Sequence, residues 1–147
     1  MNFRHVCLVV LTTLLAAGCG GAPERPSTAK VTGKVSLGGK PLADAIVTFH
    51  PQIEGGGRMA TGQTDAGGNF VLSCFDKGDG AIIGKHKVTI TAGAPASESN
   101  DPAALEAAQK QAASLPEKFA KPETSPIDAE VGDDESQNTF DWDLDKL

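Results

Sequence analysis

The sequence predicts an all-β chain, a two-layer sandwich of seven antiparallel strands with one short helical excursion. Three observations predict it. Seven segments place apolar residues at every second position, the spacing of a half-buried strand. Between them fall the turn formers of a chain with 17 Gly and 9 Pro. No strand–helix–strand repeat occurs, which argues against a parallel sheet. Only 5% of residues are aromatic and 39% hydrophobic, so the core is lean and suits short strands.

Residues 61–72 read as the hairpin around which the rest is organised. Asp65 can bond its own backbone two residues on, and Gly67 and Gly68 supply the positive φ of a tight reversal. Phe70 and Leu72 then share one face of the outgoing strand, with Cys74 continuing that face. Upstream, residues 30–37 put Val31, Gly33, Val35 and Leu37 on one side and Lys30, Thr32, Lys34 and Ser36 on the other. The Gly38-Gly39-Lys40-Pro41 break follows. Residues 45–50 turn Ala45, Val47 and Phe49 inward until Pro51, which cannot donate to a ladder. A glycine-rich loop at 54–57 leads into the hairpin.

Past the turn at 76–80, residues 84–92 turn His86, Val88, Ile90 and Ala92 one way and Lys85, Lys87, Thr89 and Thr91 the other. Asp101 then reads as an N-cap with Pro102 at the first helical position. The alanine-rich helix that follows carries a favourable Glu106–Lys110 pair and stops at Pro116. Leu105 and Leu115 are its only large apolar residues, so it is expected to add little to the core. The 115–119 run is expected to pack. Ile127, Ala129 and Val131 are the inward side of the sixth strand. Phe140, Trp142 and Leu144 are that of the seventh, whose outer row Asp141, Asp143 and Asp145 repels a second copy of the edge. The core is expected around Phe49, Phe70, Val88, Ile90 and Trp142.

The N-terminus carries an export signal. After Arg4 and His5, an apolar run from Val6 to Ala17 is too short to span a bilayer as a stable anchor. It ends Leu15-Ala16-Ala17-Gly18-Cys19, which resembles the lipobox of bacterial lipoproteins, with Ala16 where Leu is usual and Leu15 one place early. The resemblance implies cleavage before Cys19 and acylation of its thiol. The alternatives are an ordinary signal peptide cut near Ala17 or a plain buried segment. The division is a signal peptide over 1–18, a lipid-anchored flexible tether over 19–29 and the sandwich over 30–147. As a flexible coil, a tether of this length spans roughly 15–20 Å. Cys74 is then the one cysteine without an assignment. It reads as a small buried hydrophobe rather than a reactive thiol.

Charge and motifs exclude several function classes. A net charge of −6 argues against a nucleic-acid footprint. Neither His-x-x-Glu nor His-Glu-x-x-His occurs, so zinc lacks a ligand pair of the usual spacing, and there is no Gly-x-Ser-x-Gly elbow. The carboxylates of Asp65, Asp76, Asp79, Asp133, Asp134 and Glu135 sit in turns without EF-hand spacing. His50 reads as a solvated residue of an outer face. His86 reads as a partly buried histidine with one ring nitrogen on backbone, the alternative being a ligand or pH-switch role.

Several motifs in order carry a second resemblance: Val31-Thr32-Gly33-Lys34-Val35, Gly39-Lys40-Pro41-Leu42, Ala45 to Phe49, Thr64-Asp65-Ala66-Gly67-Gly68-Asn69-Phe70 and Gly84 to Ile90. They resemble the carboxypeptidase regulatory-like domain. Leu115-Pro116-Glu117-Lys118-Phe119, Ser125-Pro126 and Asn138-Thr139-Phe140 look like its bacterial lipoprotein branch. The resemblance implies an immunoglobulin/transthyretin-like seven-stranded sandwich with no catalytic residues of its own. The related purine-pathway hydrolases have a tyrosine-containing C-terminal motif, which a chain without Tyr lacks.

The expectation is therefore a monomeric, non-enzymatic structural or protein-interaction module with no cofactor and no metal. It would be held to a membrane of the cell envelope through Cys19, on the outer membrane or the periplasmic face. The alternative is a lipoprotein that binds a small ligand, peptide or glycan through the loop at 52–57 or the segment 93–115. Exposure of Trp142 would favour that alternative.

Overall fold

A computed structural model describes residues 25–93 and 102–147, without side-chain detail for part of the helix. The signal peptide, Cys19, the first residues of the tether, the segment 94–100 and the expected cap Asp101 lie outside the described residues.

The fold is all-β. All seven expected strands form: β2 (Thr32–Leu37), β4 (Ala45–Pro51), β5 (Ala60–Gln63), β6 (Asn69–Val71), β8 (Gly84–Ala92), β9 (Asp128–Val131) and β10 (Thr139–Asp143). Three two-residue strands join them: β1 (Thr28–Ala29), β3 (Lys40–Pro41) and β7 (Ala81–Ile82). One helix, α1 (Pro102–Ser114), and 3-10 turns at Glu117–Phe119, Glu135–Gln137 and Leu144–Lys146 complete the described chain. One sheet runs β5-β4-β8-β9. The other is centred on β2, with β10 on one side and β3 and β6 on the other, and β1 pairs β7 separately. Inward residues of both sheets close one core that includes Val31, Val35, Val47, Phe49, Phe70, Leu72, Val88 and Ile90, each at most 2% exposed. Phe119 from the turn after the helix is fully buried as well.

Four expectations need correction. First, β10 pairs β2 in parallel, with Phe140 opposite Gly33 and Trp142 opposite Val35. No hairpin links these strands. The chain comes to β10 from β9 in the other sheet, so local turn geometry does not force an antiparallel run. Second, the tether ends before residue 28, because Thr28 and Ala29 pair with Ile82 and Ala81, and Ala29 is buried. Third, the 61–72 hairpin is a corner between sheets. Its arms bond each other at Thr61–Ser73 (2.9 Å) and at Asp65–Asn69 (2.8 Å). Between these points β5 joins β4 while β6 joins β2. Fourth, only Gly68 of the glycine pair is at positive φ (77°), and a Cβ there would meet the Val35 carbonyl. Gly67 instead gives its N–H to Asp65 Oδ1 (2.8 Å).

Trp142 also departs from expectation. It is half-buried, packed on the core rather than inside it, and stacks on Phe70 (5.9 Å between centroids) and Phe140 (5.5 Å). Its strand lies at the end of a sheet, so no further strand covers its outer side. In the acidic outer row, Asp143 is drawn toward Lys146 at 3.2 Å and is only 18% exposed, whereas Asp141 and Asp145 face solvent.

Candidate functional site

The outer face of the β5-β4-β8-β9 sheet carries charged side chains on two neighbouring strands. Alternation sends Lys85 and Lys87 of β8 outward, and Asp128 and Glu130 of β9 outward beside them. The register sets Lys87 against Asp128 and Lys85 against Glu130, so cations face carboxylates across the ladder. Lys87 Nζ donates to Asp128 Oδ1 at 2.8 Å. Asp128 is exposed, so the pair is worth about 1 kcal/mol or less. Gln52 extends the face where its N–H donates to the Lys85 carbonyl (2.8 Å). Two shallow depressions share Gln52 and Asp128. One, of about 520 Å³, is bounded by Lys85, His86, Ala129 and Glu130, so it reaches past the outer row to inward residues of β8 and β9. The other, of about 430 Å³, is bounded by His50, Lys87, Pro122 and Glu123.

His50 is not the solvated residue expected from sequence. It is half-buried, and its Nε2 lies 2.9 Å from Thr89 Oγ1. Thr89 points to the outer face yet is 5% exposed. Burial holds the His50 pKa below its ordinary value, partly offset by Glu123. A neutral imidazole next to a lysine–aspartate row can give or accept single hydrogen bonds. The one hydroxyl it touches, that of Thr89, is buried.

His86 lies on the opposite face of the same sheet, 1% exposed, with its ring 5.5 Å from Phe49. Nε2 is 2.6 Å from the Ile82 carbonyl, which can only accept, so Nε2 carries the proton. Nδ1 is buried without a partner. Protonation there would place an unbonded N–H in the core. Burial accordingly lowers the His86 pKa against the opposing bond to Ile82. Below its ordinary pKa the unfolded chain binds a proton that the folded chain resists. Stability is therefore full above about pH 6.5 and falls as pH drops through that value. Urea midpoints taken from pH 7.5 to 5.5 should decline, and His86→Leu should make that decline shallower, the remainder belonging to His50. A wild-type midpoint constant across this window would contradict the assignment.

The remaining sequence-flagged residues are structural. Asp65 Oδ1 accepts from the N–H groups of Gly67 (2.8 Å) and Asn69 (2.9 Å), and the Asn69 bonds lower its pKa. Asp79 is partly desolvated, which raises its pKa. Its bonds from the N–H groups of Cys74, Asp76 and Phe75 outweigh that, and the net shift is downward. Cys74 is free and 6% exposed, and burial, with Asp79, pushes its thiol pKa up, the opposite of activation. Among the described residues no group of three or more His, Cys, Asp or Glu converges as a metal site. None of these residues lies in the lysine–carboxylate face, which sequence reading passed over. Its signal was present, lysines outward on one strand and acids outward on another, but their register was not. Searches of known protein families, curated proteins and solved structures find no match to the chain.

Proposed function

We propose that the chain is an exported lipoprotein, anchored at Cys19, that holds a non-enzymatic sandwich at the surface of an envelope membrane as a structural or protein-interaction module. The observation that carries this reading is the junction of leader and domain. An apolar run ends in Ala-Ala-Gly-Cys, and nine residues after that cysteine Thr28 is pinned to the sandwich by β1. The carboxypeptidase regulatory-like resemblance, with its transthyretin-like topology, is part of the same proposal. The all-β two-sheet arrangement supports it. The parallel β2–β10 pair is the feature it must accommodate. The separation of His50 and His86 on opposite faces of a sheet, and the raised thiol of Cys74, support the non-enzymatic reading.

Replacing Cys19 with Ser should move the protein from the membrane fraction to the soluble fraction. Sedimentation of the Ser variant with salt-washed membranes would overturn the anchoring. One observation favours ligand binding as a second reading: the two adjoining depressions over Gln52 and Asp128, which offer both signs of charge to a polar peptide. Isothermal titration with zwitterionic peptides, repeated on Lys87→Ala, tests it.

A further inference from the structure

The strand β10 is the outermost of its sheet, with β2 on one side and no further strand on the other among the described residues. Its parallel register decides which backbone groups are already bonded. The Asn138 carbonyl accepts from the Thr32 N–H (3.1 Å). With Thr139 opposite Thr32 and Trp142 opposite Val35, alternation turns the N–H and C=O groups of Phe140 and Trp142 toward β2. Those of Thr139 and Asp141 point the other way, and no backbone hydrogen bond among the described residues uses them. Both residues are exposed. Each offers one donor and one acceptor in strand geometry.

The inward side of the same strand is left partly uncovered. Phe140 and Trp142 stack with 5.5 Å between centroids, and Trp142 stacks on Phe70 as well. Phe140 and Trp142 are half-buried. By contrast, Ala129 and Val131, inward on the terminal strand of the other sheet, are 6% and 1% exposed. A strand added at β9 would cover no comparable apolar surface, and the acids of β9 already face Lys85 and Lys87. On the outer side of β10, Asp143 is held by Lys146 at 3.2 Å. Asp141 stands across from Lys34 and makes no ion pair among the described residues.

We infer that the free edge of β10 is a docking site for an extended segment of a partner protein, one that alternates apolar residues with lysine or arginine. The segment adds a strand to the sheet, its backbone bonding Thr139 and Asp141. Its apolar residues continue the inner face over Phe140 and Trp142, whose rings have large area left to bury. Its cations stand across from Asp141, where opposite charges attract as nearest neighbours on one face. That attraction is local to one pair of strands and does not depend on the field of the whole molecule. A second copy of the chain fits poorly, since two β10 edges would set carboxylates against carboxylates. The inference rests on the protein-interaction reading of the domain and is independent of the Cys19 anchor.

The test titrates an end-blocked Lys-Val-Lys-Val-Lys-Val peptide into the full chain in nonionic detergent and follows Trp142, the one tryptophan of the chain. Its emission should shift to the blue and saturate. In amide exchange followed by NMR, the peptide should slow Thr139 and Asp141 and leave Phe140 and Trp142, already bonded to β2, unchanged. Asp141→Lys should weaken binding about tenfold, because it replaces an attractive cross-strand pair with a repulsive one. Asp141→Asn, a smaller change beside Lys34, should fall between. Glu-Val-Glu-Val-Glu-Val, with the wrong charge, and Lys-Lys-Lys-Val-Val-Val, with the wrong period, should both bind more weakly. Equal binding of the three peptides, or exchange at Thr139 and Asp141 that the first peptide does not slow, overturns the docking edge. Slowed exchange at those two amides that depends on protein concentration without peptide overturns it in favour of a second copy. A chain that carries no lipid at Cys19 yet binds and is protected as described overturns the anchoring alone.

Discussion

Phe49→Ala should cost about 3–5 kcal/mol, the range for emptying a fully buried aromatic site. Phe49 is 0% exposed at the end of β4's inward row. Its ring lies 5.5 Å from His86 in its own sheet, and 5.7 Å and 6.0 Å from Phe140 and Trp142 in the other. It therefore joins the two layers. The surrounding rings are held by stacking and by two sheets, so the site collapses poorly. Domains of this size have a total stability of about 5–15 kcal/mol, so the variant should sit close to unfolded at 37 °C. Urea titration checks this through the midpoint at unchanged slope. Phe49→Leu should fall between Ala and wild type. A loss below about 1 kcal/mol for the alanine variant would mean that the sheets do not pack through this ring.

Gly33→Val should be nearly as damaging, by the opposite mechanism. A Cβ at Gly33 would meet the Phe140 carbonyl oxygen and lie 2.6 Å from the Phe70 ring. The oxygen belongs to the backbone of β10, directly across the ladder from Gly33. A flexible side chain could step aside, but a paired strand cannot without losing its pairing. The expected cost is about 3 kcal/mol, at the upper end for overpacking. It should come with a change in Trp142 fluorescence, because Trp142 stacks on Phe70. Lys34→Ala, exposed on the same strand, is the control and should stay within about 0.5 kcal/mol. Equal midpoints for Gly33→Val and Lys34→Ala would contradict the parallel β2–β10 packing.

Residues whose period alone decides their environment were legible in the sequence. Val31 and Val35, Val47 and Phe49, Val88 and Ile90, and Ile127, Ala129 and Val131 alternate with polar partners and are buried as expected. The strands β1, β3 and β7 were not legible, since two residues show no period. The direction of β10 was hidden for a different reason. A strand's pattern is the same read either way, and its orientation follows from where the chain crosses between sheets. Trp142 faces the expected side, but a sheet end covers only part of a large ring. At the candidate site, the outward charges of Lys85, Lys87, Asp128 and Glu130 can be read along each strand. What brings them together is the β8–β9 register, a long-range pairing. His50 and Thr89 meet for the same reason, across the β4–β8 ladder.

Intact-mass spectrometry of the detergent-extracted native protein tests lipidation at Cys19 most directly. The predicted result is a chain beginning at Cys19 with acyl mass on that residue, and an N-terminal peptide that carries the lipid. A chain that begins elsewhere, or that retains an unmodified Cys19, would contradict it.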